Sequence, residues 1–421
     1  MRRSAFAVYA LTFLFGPKLL AFVARTWRTI WNARGRQHLR PSIIRQMALG
    51  GLVSLLIGES TAVAQFNYRF SKIADSSGKY AALSHSPVIN QHGVVAFVGR
   101  TSQNRSEIIT FGNDIMTVVA DTSGEFADFG PVALNDSNTV AFYSRFDDGR
   151  RGIFKISGAA VTNITELLEC CSPFSPNVHI NNAGTVVFQV SLSPVESAIY
   201  TGRGGPLTII AKSGEEFRRF GGSPWISEHG QVVFSAYAAD RRQAVYLAND
   251  SSIAKLMEVN GYPYTFPSMS SSGEITFFSD FADTLGRVIT RITEGVATTL
   301  VSVDGPFERL YVPSTTPGGR YAFMGGLDLG GFGIFTGPDP VKDKVIRTGD
   351  PLFGSTVHEV GFYRGLNDRG DVAFRYRLVN GVEGVAVARI VPEPGGLVLV
   401  IAALVIVALR APGPTRPGSL R

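Results

Sequence analysis

The sequence predicts an all-β chain, a seven-bladed β-propeller of four-stranded blades over residues 65–391, closed by an N-terminal strand. A targeting region with a signal peptide precedes it (residues 1–64), and a sorting and anchoring tail with a short hydrophobic helix follows it (residues 392–421). Three observations predict this. A frame of polar turn residue, Gly and Phe recurs seven times. Its period is in the forties, the spacing of propeller blades. The segments between turns read as strands, with no helical periodicity.

The frame is Asn90-x-x-Gly93-x-x-x-Phe97. It returns at Asn135/Asn138/Phe142, Asn181/Gly184/Phe188, Ser227/Gly230/Phe234, Ser270/Gly273/Phe277, Thr316/Gly319/Phe323 and Asn367/Gly370/Phe374. The third-column positions lie 45, 46, 46, 43, 46 and 51 residues apart, too regular for chance and too long for a hairpin repeat. A type I turn wants Asn, Ser or Thr first, where the side chain can bond its own backbone, and Gly fourth. The fourth position needs a positive φ, which Gly takes freely and Asn tolerates; Asn138 is the single exception to Gly.

Each turn leads into a segment such as Val95-Ala96-Phe97 or Val372-Ala373-Phe374, apolar on both faces. A strand of that kind lies between two packed layers, as between neighbouring blades. Third strands are read at residues 152–156, 198–200 and 333–335, and fourth strands at 116–121 and 207–211. The seventh unit supplies strands at 360–366, 372–378 and 384–390 and then stops one short. Residues 68–75 resemble the fourth-strand segments and would supply the missing edge, which left open invites aggregation. A β-solenoid or a two-sheet sandwich is the alternative architecture.

The net charge of +6 is confined to the ends. Residues 1–64 carry +8 and residues 395–421 carry +3, so the body between them carries −5. An acidic body argues against nucleic acid as a partner. Basic ends suit an anionic membrane surface. An apolar segment (residues 5–24) is broken by Pro17 and Lys18; a basic stretch and a second short apolar run (residues 47–57) follow. That run ends in Ala62-Val63-Ala64, which predicts a secretory signal peptide cleaved after Ala64. The alternative is a pair of uncleaved membrane helices.

Pro392-Glu393-Pro394 precedes Gly395-Gly396, an apolar run (residues 397–409) and Arg410, Arg416 and Arg421. The run is short of the roughly 20 residues that span a bilayer, so it reads as a marginal span or a sorting signal. This tail resembles the PEP-CTERM sorting signal. The resemblance implies processing by an exosortase-type enzyme in a Gram-negative bacterium that makes extracellular polysaccharide. The apolar run is shorter and the basic cluster sparser than that pattern. The unit Asn-x-x-Gly-x-Val-Ala-Phe, clearest at Asn367–Phe374 and Asn90–Phe97, resembles the bacterial choice-of-anchor tandem repeat proteins over about residues 66–390. That resemblance implies surface display and no established activity.

No His-Glu-x-x-His, P-loop, G-x-S-x-G or EF-hand motif is present. No cofactor and no metal are expected. His92 and His229 sit just before the turn glycines and read as solvated turn residues; His179 reads as a core or edge residue. Cys170 and Cys171 are adjacent, either a vicinal bridge or two thiols on a loop. The polar segments between a fourth strand and the next first strand (121–129, 213–222, 260–266, 304–310, 349–358) are the candidate ligand face. They carry Glu125, Asp128, Glu215, Glu216, Arg218, Arg219, Tyr262, Tyr264, Glu308, Arg309 and Asp350. Aromatic rings and carboxylates gathered around a central opening could hold a polysaccharide chain or a cation. The expected function is an exported, envelope-anchored, non-enzymatic binding or scaffold module of the polysaccharide matrix. The alternative is a lyase or glycosidase on the same scaffold.

Overall fold

The computed structural model describes residues 67–84, 86–165, 177–214, 216–249, 251–259, 265–280 and 287–391. Seven antiparallel sheets form a seven-bladed β-propeller of four-stranded blades, with no helix among the described residues. Blade one is typical. Its innermost strand is broken into Tyr80–Leu83 and Val88–Ile89, and both pieces pair with Val95–Thr101. Ser106–Gly112 and Ile115–Asp121 complete the sheet outward.

The repeated frame works as its residue types demand. In every copy the fourth residue donates its N–H to the carbonyl of the first, from Gly93 to Asn90 (3.0 Å) through Gly370 to Asn367 (2.9 Å). The fourth residue always has a positive φ, 81° at Gly93 and 59° at Asn138. The first-column Asn does more than bond its own turn. Asn90 Oδ1 accepts the Val94 N–H at 2.9 Å while its Nδ2 donates to the Asn135 carbonyl of the next blade at 3.1 Å. Asn135 reaches the Asn181 carbonyl (3.0 Å), Asn181 reaches Ser227 (3.1 Å), and Asn367 of blade seven reaches Asn90 of blade one (3.1 Å). The amide is long enough to bridge two blades; the Ser and Thr copies have no such reach. The same residue type thus makes the turn and ties the ring.

The second turn residues add another ring. Gln91 N–H donates to Asp136 Oδ1, Asp136 N–H to Asn182 Oδ1, Asn182 N–H to Glu228 Oε2 and Asp368 N–H to Gln91 Oε1, each at 2.8–2.9 Å. Between the sheets, the seven frame phenylalanines are at most 1% exposed and fill the core.

Blade seven differs from its prediction. Its inner strand is Ser355–Gly361, extended by a short hairpin with Pro351–Leu352, rather than residues 360–366. Leu366 still bridges Val372, while residues 362–365 leave the ladder, with Arg364 left-handed (φ 60°). Gly365 follows it, packed so closely that a Cβ would run into the Ala373 carbonyl oxygen. The last strand, Glu383–Val391, pairs antiparallel with Asn67–Asp75, from Asn67 opposite Val391 to Asp75 opposite Gly384. Phe70 of that first strand meets Phe374 edge-on at 6.1 Å.

Candidate functional site

The innermost strand of every blade ends in its frame turn, so all seven turns surround the axis at one end of the ring. There six of the turns, with Arg364 and Leu366 just ahead of the seventh, line a cavity of about 90 Å³. Its wall includes Ile89, Leu134, Ile180, Ile226, Thr315 and Leu366, with Trp225, His179 and Arg364 set among them. Gln91, Asp136, Asn182 and Glu228 line it as well, so the mouth carries the acceptors of the second ring.

Three side chains from three blades meet across the axis. Arg364 projects from blade seven to the two blades opposite. Its Nη1 donates to the Val178 carbonyl of blade three at 3.1 Å, and its guanidinium lies 4.8 Å over the Trp225 ring of blade four. The Tyr363 ring supports it from its own blade at 5.0 Å. On Trp225, the His179 imidazole stacks at 3.7 Å and 24°. The Ile226 N–H donates to His179 Nδ1 at 3.4 Å. Burial holds the Arg364 guanidinium below its ordinary range, yet arginine stays a cation in proteins. Among the described residues no carboxylate pairs with it. Thr315, 2% exposed, turns an unpartnered Oγ1 in the same wall.

His179 is neutral in this setting. Burial pushes its pKa well below the ordinary value, and Arg364 pushes it further. The unfolded chain takes up that proton near pH 6.5 and the folded ring does not, so the unfolded state binds more protons below that value. Stability is therefore complete above about pH 6.5 and falls as pH falls, by at most about 1.4 kcal/mol per pH unit for one proton. Urea unfolding at pH 7.5, 6.5 and 5.5 is expected to show this loss, and H179F is expected to remove it. An equal slope in both proteins would sink the assignment.

The candidate ligand-face residues stand elsewhere. Antiparallel four-stranded blades place the links between blades at the end opposite the frame turns. Those links are also shorter than predicted, because much of each is strand. Phe217–Phe220 and Phe307–Leu310 are the outer halves of innermost strands, buried at both ends and exposed in the middle. A register shift recurs there, between Phe217 and Arg219, Phe307 and Arg309, and Phe126 and Asp128. Such a bulge sets two residues against one and turns consecutive side chains outward. Alternation is lost, so the segments read as loops in sequence.

Five of the described candidates take partners locally. Asp128 pairs with Arg145 (3.2 Å), Glu308 with Arg309 (3.8 Å) and Asp350 with Lys344 (2.9 Å). Arg219 lies 4.8 Å over Tyr237 of its own blade. Glu125 and Arg218 are exposed. Glu215, Tyr262, Tyr264, Cys170 and Cys171 lie outside the described residues, as do Ala62, Ala64, Pro392, Glu393 and Pro394. His92 and His229 are exposed turn residues, and His92 Nδ1 lies 3.1 Å from the Asp136 carbonyl. Among the described residues no cluster of His, Cys, Asp and Glu could hold a metal ion, and no helix is long and apolar enough to cross a membrane.

Arg364 escaped the sequence reading. Three residues before each first-column residue stand Pro87, Val132, Val178, Pro224, Pro267 and Pro313, and then Arg364. The departure in the seventh copy is the signal that would have found it.

No sequence-family model matches this chain, and no curated protein matches it. Solved structures do. The WD40 domain of SCAP from fission yeast aligns at 10% identity and a TM-score of 0.40, over 77% of this chain and 98% of that one. The SapL1 lectin, solved with alpha methyl fucoside, aligns at 12% identity and a TM-score of 0.38, over 60% of this chain and 93% of that one. A chain of the Mitotic Checkpoint Complex aligns at 10% identity and a TM-score of 0.43, over 76% and 94%.

Proposed function

We propose that this propeller is a non-enzymatic binding module of the bacterial envelope, holding a small polar ligand or chain end, such as the end of a matrix polysaccharide, at the axial cavity. One observation carries the reading: a wall made by all seven blades in which, among the described residues, the Arg364 cation has no carboxylate partner and the Thr315 hydroxyl no hydrogen bond. The residues there suit binding rather than turnover. His179 is neutral and covered by Trp225, and the second-ring side chains already accept backbone N–H groups. Asp128, Glu308 and Asp350 of the link face are paired locally, so those three do not support the lyase or glycosidase reading.

The ends deliver the module. Cleavage after Ala64 leaves Gln65 first, two residues ahead of the strand Asn67–Asp75, which serves as the clasp of the ring. Pro392 follows the last strand at once and begins the sorting tail, for which an exosortase-type enzyme is the partner. The exported protein then sits at the cell envelope or outer surface, held at the membrane through that tail until it is processed.

The test is a printed-glycan screen of the full chain, followed by reducing-end and unsaturated-product assays on whatever it retains. Retention without product is expected. Release of new ends from any retained polysaccharide would replace binding by catalysis. Mass spectrometry of the mature protein checks delivery: an intact Ala64–Gln65 bond would defeat the signal peptide, and a retained Arg421 would defeat tail removal.

A further inference from the structure

We infer that the axial cavity is specific for a carboxylate, the acid group of a terminal uronic acid, with the Arg364 guanidinium as its anchor and the Thr315 hydroxyl as a second donor. The inference rests on the proposed binding role and names the class of ligand for that site.

Five observations converge on it. Arg364 stands alone where the other six copies have Pro or Val, so the repeat does not require it. Its backbone is left-handed, a conformation that is strained for any residue with a long side chain. Its cation lies over the Trp225 and Tyr363 rings, with one donor spent on the Val178 carbonyl. A partly buried guanidinium without a counter-charge is unfavourable, and among the described residues none is supplied. Thr315 Oγ1, in the same wall, is also without a partner.

The shape of the charge selects among anions. A guanidinium offers parallel N–H donors matched to the two oxygens of a carboxylate. Among the described residues of the wall Arg364 is the only Lys or Arg, while Asp136 and Glu228 line the same cavity. One cation beneath a mouth that carries acids suits a single negative charge and opposes the second charge of a phosphate. About 90 Å³ holds several water-sized groups, enough for a carboxylate and the carbons behind it. The hydroxyls of a sugar ring would then meet the polar mouth, where Gln91 and Asn182 stand beside the acids.

The experiment is calorimetric titration of the full-length protein with sodium glucuronate, glucose and inorganic phosphate, in wild type, R364Q, R364K and T315V. Glucuronate is expected to bind at least tenfold more tightly than glucose or phosphate. R364Q should abolish that preference, R364K should keep part of it, and T315V should weaken glucuronate several-fold. R364Q should melt no lower than wild type, since it removes an unpaired charge; if it does not fold, R364K and T315V still decide. Equal binding of glucuronate and glucose by wild type, or full glucuronate affinity in R364Q, would overturn the carboxylate anchor. If the glycan screen finds ligands and none carries an acid, the anchor fails and the binding role stands. If neither screen nor titration finds a ligand, both fail.

Discussion

A chain that begins at Ser76 is expected to lose its single cooperative melt and to self-associate, while one that begins at Gln65 melts as the full chain does. The strand Asn67–Asp75 pairs with Glu383–Val391 along its whole length. Removing it leaves the N–H and C=O groups of Glu383–Val391 as an open ladder, the edge that templates pairing with a second molecule. It also uncovers apolar surface. Tyr68 and Phe70 pack on the cluster of Phe374, Ala386 and Ala388, and Ile73 and Ala74 pack on the one of Ala373, Val385 and Val387. Eight residue pairs with about 1 kcal/mol per lost hydrogen bond, plus that apolar area, approach the whole stability of an ordinary domain, about 5–15 kcal/mol. Sedimentation velocity and thermal melting of the two chains measure the difference. A monomeric Ser76 chain that melts within about 2 °C of the longer one would remove the clasp from the account of ring closure.

The same strand explains how unevenly the molecule can be read from its sequence. Whatever the ring needs seven times is visible, because each need is local and names its residue: a carbonyl acceptor and side-chain amide at Asn90, a positive φ at Gly93, a bulk to fill the space between sheets at Phe97. Count and period follow directly from those columns. What happens once is invisible to a search for repetition. Arg364 stands in a Pro or Val column and, among the described residues of the axial wall, is the single Lys or Arg. The link face misleads for a different reason. A bulge at Arg218 and Glu308 turns neighbouring polar residues outward together, so strand wears the composition of loop. Function in a repeat protein is more legible in the misfits to a column than in the column itself, and Arg364 and Thr315 are such residues.

Phe142→Ala is expected to lower stability by about 3–5 kcal/mol, a large share of the total from one frame position. The ring is fully buried between blades one and two, in a cluster with Val88, Ala96, Ile108, Val132 and Phe154. Three other rings face it: Phe126 at 5.8 Å and Phe129 at 5.6 Å, both edge-on, and Phe154 stacked at 5.7 Å. Truncation leaves a void walled by β-sheet on both sides, which cannot collapse without parting the ladders, so the loss should lie toward the upper end. Phe142→Leu separates the two contributions. It keeps most of the apolar volume and forfeits the edge-on contacts, each worth about 0.5–1.5 kcal/mol, so it should fall between wild type and Ala. Val118→Ala, on the outermost strand of blade one and 40% exposed, should change stability by less than about 1 kcal/mol and serves as the surface control. Urea unfolding of the four proteins gives the order. A Phe142→Ala protein as stable as Val118→Ala would mean that the inter-blade phenylalanines do not carry the packing of the ring, and that the sevenfold column is conserved in this chain for the turn alone.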